Sequence, residues 1–271
     1  SFEADGDMLK SALINAQRMG ENVIREANQK AEEIIHRANL RGDDIIRDAF
    51  SEGEKKLVVL ISRSSYSAED MAAAVTRVYR EDPALVPKEP LASVNMYSGT
   101  GAQRLYEISI NYGMTSDELD ARTAQLQAVD AFAELDTSGM SEAELAYAAC
   151  EYLMEHCTVS EDKSENTAYA ALVGGRANSE GTALAYIVLC RELGVDCRIV
   201  YGQEDWIEHC WNIVRIDGSY YHVDITAAIE DGAEAGFLMN DEMAWGHYRW
   251  DVSSYPKCSG ELRYSDLLFD E

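Results

Sequence analysis

The stretch EHCWNIVRIDGSYYHVDIT, residues 208–226, constrains the fold more than any other part of the chain. Two alternating runs rich in β-branched and aromatic residues flank Asp217-Gly218. An Asp-Gly pair in that setting marks a two-residue hairpin turn whose central residues need positive φ. Such a turn sets the register: Ile216 faces Ser219, Trp211 faces Asp224, and His209 faces Thr226. Residues two apart share a strand face, so His209 and Asp224 become diagonal neighbours on the same face. One extra loop residue would shift this register and reverse the facing. A histidine beside a carboxylate is a base with the group that orients it.

Upstream, GGRANSEGTALAYIVLCRELG (174–194) reads as a helix beginning near Ser179, followed by a strand through CRIVYG. A helix N-terminus packed across the sheet from His209 favours an anion there. Ser179 has two readings, a helix cap or the occupant of a nucleophile position. His209 alone can be a half-buried strand histidine, and Asp224 a strand-end turn former. His222 lies on the same expected face as His209 and is an alternative member of the pair, whereas His36, His156 and His247 have no partner that can be named. Trp211 and Glu180, flanking the constellation, are the candidate ligand contacts.

Composition narrows the function classes. Against 23 basic side chains stand 49 acidic ones, a formal charge of −26, and a surface of that sign repels phosphate backbones, which argues against a nucleic-acid partner. No apolar run approaches the roughly 20 residues of a membrane-spanning helix, and the 46% hydrophobic content fits a globular chain. The chain opens on Ser1 with no signal-peptide pattern, which leaves a removed targeting segment open. Six cysteines, at 150, 157, 190, 197, 210 and 258, lack paired CxxC spacing. With no HxH or HExxH motif either, neither a metal site nor a cofactor is expected. Cys150 and Cys157 share a helix face about 10 Å apart, too far to bond to each other.

Residues 12–50 carry an eleven-residue repeat: ALINAQRMGEN, VIREANQKAEE, IIHRANLRGDD, IIRDAF. Eleven residues over three turns is about 3.67 per turn, so the apolar stripe runs nearly straight or into a weak right-handed supercoil. The stripe, partly Ala and Gly, needs a partner surface. The expected one is a second copy, giving self-association through residues 9–49, with folding back onto the rest of the chain as the alternative.

Between these regions KKLVVLIS reads as a strand, Ala68–Tyr79 as a helix capped by Ser67, EDPALVPKEP as a surface connection, and RLYEISINYG as an alternating strand that places Leu105, Glu107, Ser109 and Asn111 opposite Tyr106, Ile108, Ile110 and Tyr112. TSDELDARTAQLQAVDAFAEL and SEAELAYAACEYLMEHC read as helices, the second opened by a Ser141/Glu144 capping box.

YAALVGGRANSEGTALAYIVLCRELGVDCRIVYG, EHCWNIVRIDGSYYHVDIT and FLMNDEMAWGHYRWDVSSYPKCSG together resemble the bacterial transglutaminase-like domain family, over about residues 114–271. The resemblance implies a papain-like fold and acyl transfer through a thioester. Ser179 falls where that family carries its catalytic cysteine, His209 on the catalytic histidine, and Asp224 on the aspartate. The first fifty residues resemble the coiled-coil part of DivIVA, the bacterial cell-pole and division scaffold, which implies oligomerisation.

The expected fold class is therefore α+β: a transglutaminase-like core (114–271), a small α/β lobe (51–113), and a long hendecad coiled-coil helix (1–50). The two resemblances imply different locations, the cell envelope for the first and the cytoplasm for the second. A serine hydroxyl cannot be stored as an anion the way a thiolate can, and Cys190, about 16 Å along the same helix, cannot replace it. Three functions stay open: a pseudoenzyme binding a peptide or cell-envelope ligand in the old cleft, a thiol enzyme of the acyl-transfer or amide-hydrolysis type captured with Ser in place of Cys, and a division or polarity scaffold.

Overall fold

The computed structural model describes residues 18–19, 42–61, 66–98 and 104–268. Most of the expected coiled-coil helix lies outside them; Arg18–Met19 and residues 42–51 are helical. The chain divides into two compact units, Ser1–Ile46 and Arg47–Glu271. The second unit contains Ser179, His209 and Asp224.

The largest sheet of this unit has four antiparallel strands: β6 (Asp196–Glu204), β7 (Ile207–Ile216), β8 (Ser219–Val223) and β9 (Tyr248–Arg249), in the order β8-β7-β6-β9. Asp217 (φ 48°) and Gly218 (φ 83°) both occupy the left-handed region, as the mirror-image turn requires. The β7–β8 ladder runs from Ile216↔Ser219 to Asn212↔Val223, the register the two-residue turn predicts. The β6–β7 hairpin turns the same way through Asp205 (φ 44°) and Trp206 (φ 72°), without a glycine. Trp206 is held there with the Arg249 guanidinium 3.5 Å from its ring centroid.

Helix α5 (Ser179–Glu192) packs on this sheet. It is apolar nearly all round and buried from Gly181 to Ile187, as expected of a helix enclosed on every side. Gly181 permits the close approach, since a Cβ there would meet Glu165 O at 2.7 Å and Ala177 Cβ at 2.8 Å. Helix α3 (Glu142–His156), opened by the Ser141/Glu144 capping box, lies against α5, and Tyr186 Oη donates to Ala146 O at 3.0 Å. Leu153, Leu184 and Leu189 fill the interior, each burial stabilising by about 1.5–3 kcal/mol.

Between α3 and α5 come α4 (Ala168–Leu172) and a short parallel pair, β4 (Thr158–Val159) with β5 (Arg176–Ala177). Nearer the amino terminus β1 (Lys56–Ile61), β2 (Leu91–Ser98) and β3 (Arg104–Asn111) form an antiparallel sheet in the order β1-β3-β2. Helix α1 (Ala68–Glu81) packs on it through a face that buries Met71, Ala74, Val75 and Val78. Tyr106, Ile108, Ile110 and Tyr112 are buried together, as the alternation in β3 indicates.

Helix α2 (Ser116–Gln127) stops well before Leu135, to which the sequence pattern extends it. Only Leu119 and Leu126 on it are buried, so nothing beyond Leu126 anchors further turns. Phe132 instead packs on Tyr152 of α3, ring centroids 6.1 Å apart. All six thiols are free. Among the described residues no helix is long and apolar enough to cross a membrane.

Candidate active site

The head of α5 differs from the sequence reading in one respect that matters for chemistry. The cap is Asn178, whose side-chain oxygen accepts from Glu180 N–H and Gly181 N–H, both at 3.1 Å. Ser179 is thus the first helical residue and its hydroxyl is not used in capping. Its Oγ accepts the Cys210 N–H of β7 at 3.3 Å.

His209 projects from β7 and Asp224 follows the end of β8, so the hairpin brings them together. Nε2–H of His209 donates to Asp224 Oδ2 at 2.7 Å. The same oxygen accepts the Tyr248 hydroxyl at 2.8 Å, while Oδ1 accepts Thr226 N–H at 2.9 Å and Ala227 N–H at 3.2 Å. Asp224 therefore caps the following helix α6 (Ile225–Asp231) with one oxygen and fixes the imidazole with the other. It is fully buried with four donors on it, an arrangement that offsets the cost of removing a carboxylate from water.

With Nε2 held as donor, the neutral ring carries its lone pair on Nδ1, which makes no hydrogen bond among the described residues. Burial pulls the His209 pKa down, but the Asp224 hydrogen bond and charge, joined by Glu204 and Glu230, outweigh it and raise the pKa above the ordinary histidine value. Glu204 Oε2 lies 3.7 Å from Nε2, and burial raises its pKa too.

The other sequence candidates occupy supporting positions. Glu180 is half-buried, and its oxygens accept from Tyr201 Oη and Asn166 Nδ2, both at 3.0 Å. Trp211 is core rather than ligand contact, 1% exposed, stacked 22° from the plane of His209. Its indole N–H donates to His222 Nδ1 at 3.0 Å, and His222 Nε2–H donates to Asp241 Oδ1 at 3.0 Å. His222, with both nitrogens engaged and no exposed surface, does not take the place of His209. Burial lowers its pKa. Cys210 offers its backbone to the site, and burial pushes its thiol up to about 12. His156 is taken by Tyr152 O, and His247 is an exposed partner of Asp205.

Among the described residues two groups have ligand atoms close enough for one cation, Glu204/His209/Asp224 and His222/Asp241/Cys258, each within 4.8 Å. In both, the histidine nitrogen facing the carboxylate holds a proton in a short hydrogen bond, which metal binding would have to displace. Tyr248, Asp241 and the Cys210 amide are site elements that the sequence reading missed. Tyr248 is delivered by the two-residue strand β9, which carries no recognisable local pattern.

Residues 130–225, which contain Ser179, His209 and Asp224, match the family model described as Transglutaminase-like superfamily. Similar solved structures include a TGase (13% identity over 65% of this chain and 52% of that one, TM-score 0.35). Another is a protein from Cytophaga hutchinsonii (10%, 68% and 68%, 0.32). Menin is a third (19%, 42% and 26%, 0.31). The chain spans about half the length of the TGase. No curated protein matches it.

Proposed function

We propose that this chain is a transglutaminase-like domain that retains the base and orienter of an acyl-transfer site but is catalytically silent with Ser179 at the nucleophile position, its cleft serving to bind a peptide or cell-envelope ligand. The supporting observation is His209, held through Nε2–H by Asp224, itself bonded by the Tyr248 hydroxyl, with Nδ1 left as the free base, beside a helix head whose first residue has its side chain released from capping by Asn178.

With a thiol at this position, Nδ1 would take the S–H proton and the thiolate would attack an amide carbonyl. The imidazolium would then protonate the departing amine, leaving a thioester for water or a second amine to open. The Cys210 N–H that now reaches Ser179 Oγ would lower the energy of the anion. A serine hydroxyl starts far less acidic, so the stored ion pair is not available and the proton must leave during attack.

Amide turnover by the chain and by its S179C form, followed as ammonia release from glutamine side chains and as amine release from peptide bonds, tests the reading. The expected result is turnover in S179C alone; robust turnover by the unaltered chain would sink the silent-site proposal. The amino-terminal repeat is proposed to oligomerise the domain. Removing residues 1–50 is expected to lower the mass seen in light scattering, and an unchanged mass rejects that role.

A further inference from the structure

A cavity of about 610 Å³ lies between α1, the end of α5 and β6, with Tyr201 in its wall. Five of its lining residues are arginines, at 47, 77, 80, 191 and 198, against only two acids, Glu81 and Asp196. In a chain with more than twice as many acidic as basic side chains, such a convergence runs against the overall field. Arg77 and Arg80 share a face of α1, three residues apart. The apolar part of the wall comes from Ile187, Val195 and Ile199, all buried.

The charges are unevenly compensated. Arg47 pairs with Glu81 at 2.6 Å and Arg191 with Asp82 at 2.6 Å. Arg198 is 3.7 Å from Asp196 and Arg80 is 4.0 Å from Glu89, separations too long for strong hydrogen bonds. Arg80 Nε is buried with no hydrogen-bond partner among the described residues, while its guanidinium lies 4.0 Å from the Tyr201 ring centroid. Tyr255 Oη accepts from Tyr201 N–H at 3.2 Å, which leaves its own hydrogen free to donate.

We propose that this cavity binds a small organic anion, a single phosphate or carboxylate group on an apolar body, with Arg80, Arg198 and the Tyr255 hydroxyl receiving the charge and Ile187, Val195 and Ile199 the apolar part. The volume matches that of small-molecule sites, and planar guanidinium groups suit both anions. Tyr201 forms part of the wall and donates to Glu180, next to Ser179, so occupancy touches the head of α5 without entering the His209 site.

The test is calorimetric titration of the full chain with 1-naphthyl phosphate, 1-naphthol and inorganic phosphate. The expected result is one-to-one binding of naphthyl phosphate, at least about tenfold tighter than either fragment. R80Q and R198Q should each weaken it about tenfold or more, the loss of one charge-assisted contact. R122Q, at an exposed arginine of α2 paired with Glu118, should leave it unchanged. Melting curves establish that each variant is folded; if R80Q is not, R198Q and R80K decide. No saturable binding, binding insensitive to R198Q, or an equal loss in R122Q overturns the proposal.

Discussion

Replacing Asp224 by Asn isolates the hydrogen bond on which the site geometry rests. Asn keeps the shape, and its carbonyl oxygen, placed as Oδ1, still accepts Thr226 N–H and Ala227 N–H, so the α6 cap survives. The amide nitrogen then takes the place of Oδ2, where two donors now converge, His209 Nε2–H and the Tyr248 hydroxyl. Donor meets donor, and the ring is driven to the other tautomer, with its proton on Nδ1. One charge-assisted bond is worth about 1.5–3 kcal/mol. The larger penalty for breaking a buried ion pair does not apply, because the remaining histidine can become neutral. The expected destabilisation is therefore about 2–3 kcal/mol near pH 6.

The sign of its pH dependence follows from His209, whose folded pKa is raised. Its stabilisation is fully present below the unfolded value of about 6.5 and is lost as pH rises through the folded pKa. The gap between the unaltered chain and D224N should accordingly narrow from pH 6 to pH 9 in urea titrations. Nitrogen-15 spectra of the imidazole should show the proton moved to Nδ1. A gap that widens with pH, or an unchanged tautomer, would refute the reasoning.

Three further changes probe the frame. N178A removes the acceptor for Glu180 and Gly181 N–H and should cost about 0.5–2 kcal/mol in chemical unfolding; a neutral result would mean that Asn178 is not the cap. G202A places a Cβ against Arg249 O and within 2.6 Å of the Trp211 ring, so thermal melting should show about 1–3 kcal/mol of overpacking with altered tryptophan fluorescence. H222Q mimics the neutral ring, accepting from Trp211 and donating to Asp241. Because burial lowers the His222 pKa, the unaltered chain loses stability as pH falls from about 6.5 through the folded value. H222Q should remove that component of the acid slope measured in urea.

What the sequence reveals of this site is what local chemistry determines. Asp217-Gly218 specifies the turn, the turn specifies the register, and the register places His209 beside Asp224. At the head of α5 the sequence reading weighs only Ser179 as the cap, whereas the backbone path gives that role to Asn178, which adopts extended geometry while Ser179 enters the helix. The Asp205-Trp206 turn has no glycine to announce it. Tyr248 reaches Asp224 and Asp241 reaches His222 across distant stretches of chain, through pairings such as β6–β9 and His222–Met239, which no periodicity encodes. Strand β2 is mostly exposed, so it lacks the buried alternation that marks β3.

The most direct measurement is the pH profile of iodoacetamide alkylation in S179C, with and without D224N. The native thiols provide a quiet background: four are buried, and burial pushes Cys157 up to about 11 and Cys210 and Cys258 up to about 12. If the first residue of α5 faces His209 as a nucleophile position, the introduced thiol should react with an inflection well below the free-cysteine value of about 8.5, and D224N should move that inflection upward. An inflection at or above 8.5, indifferent to D224N, would contradict the placement of a nucleophile site there.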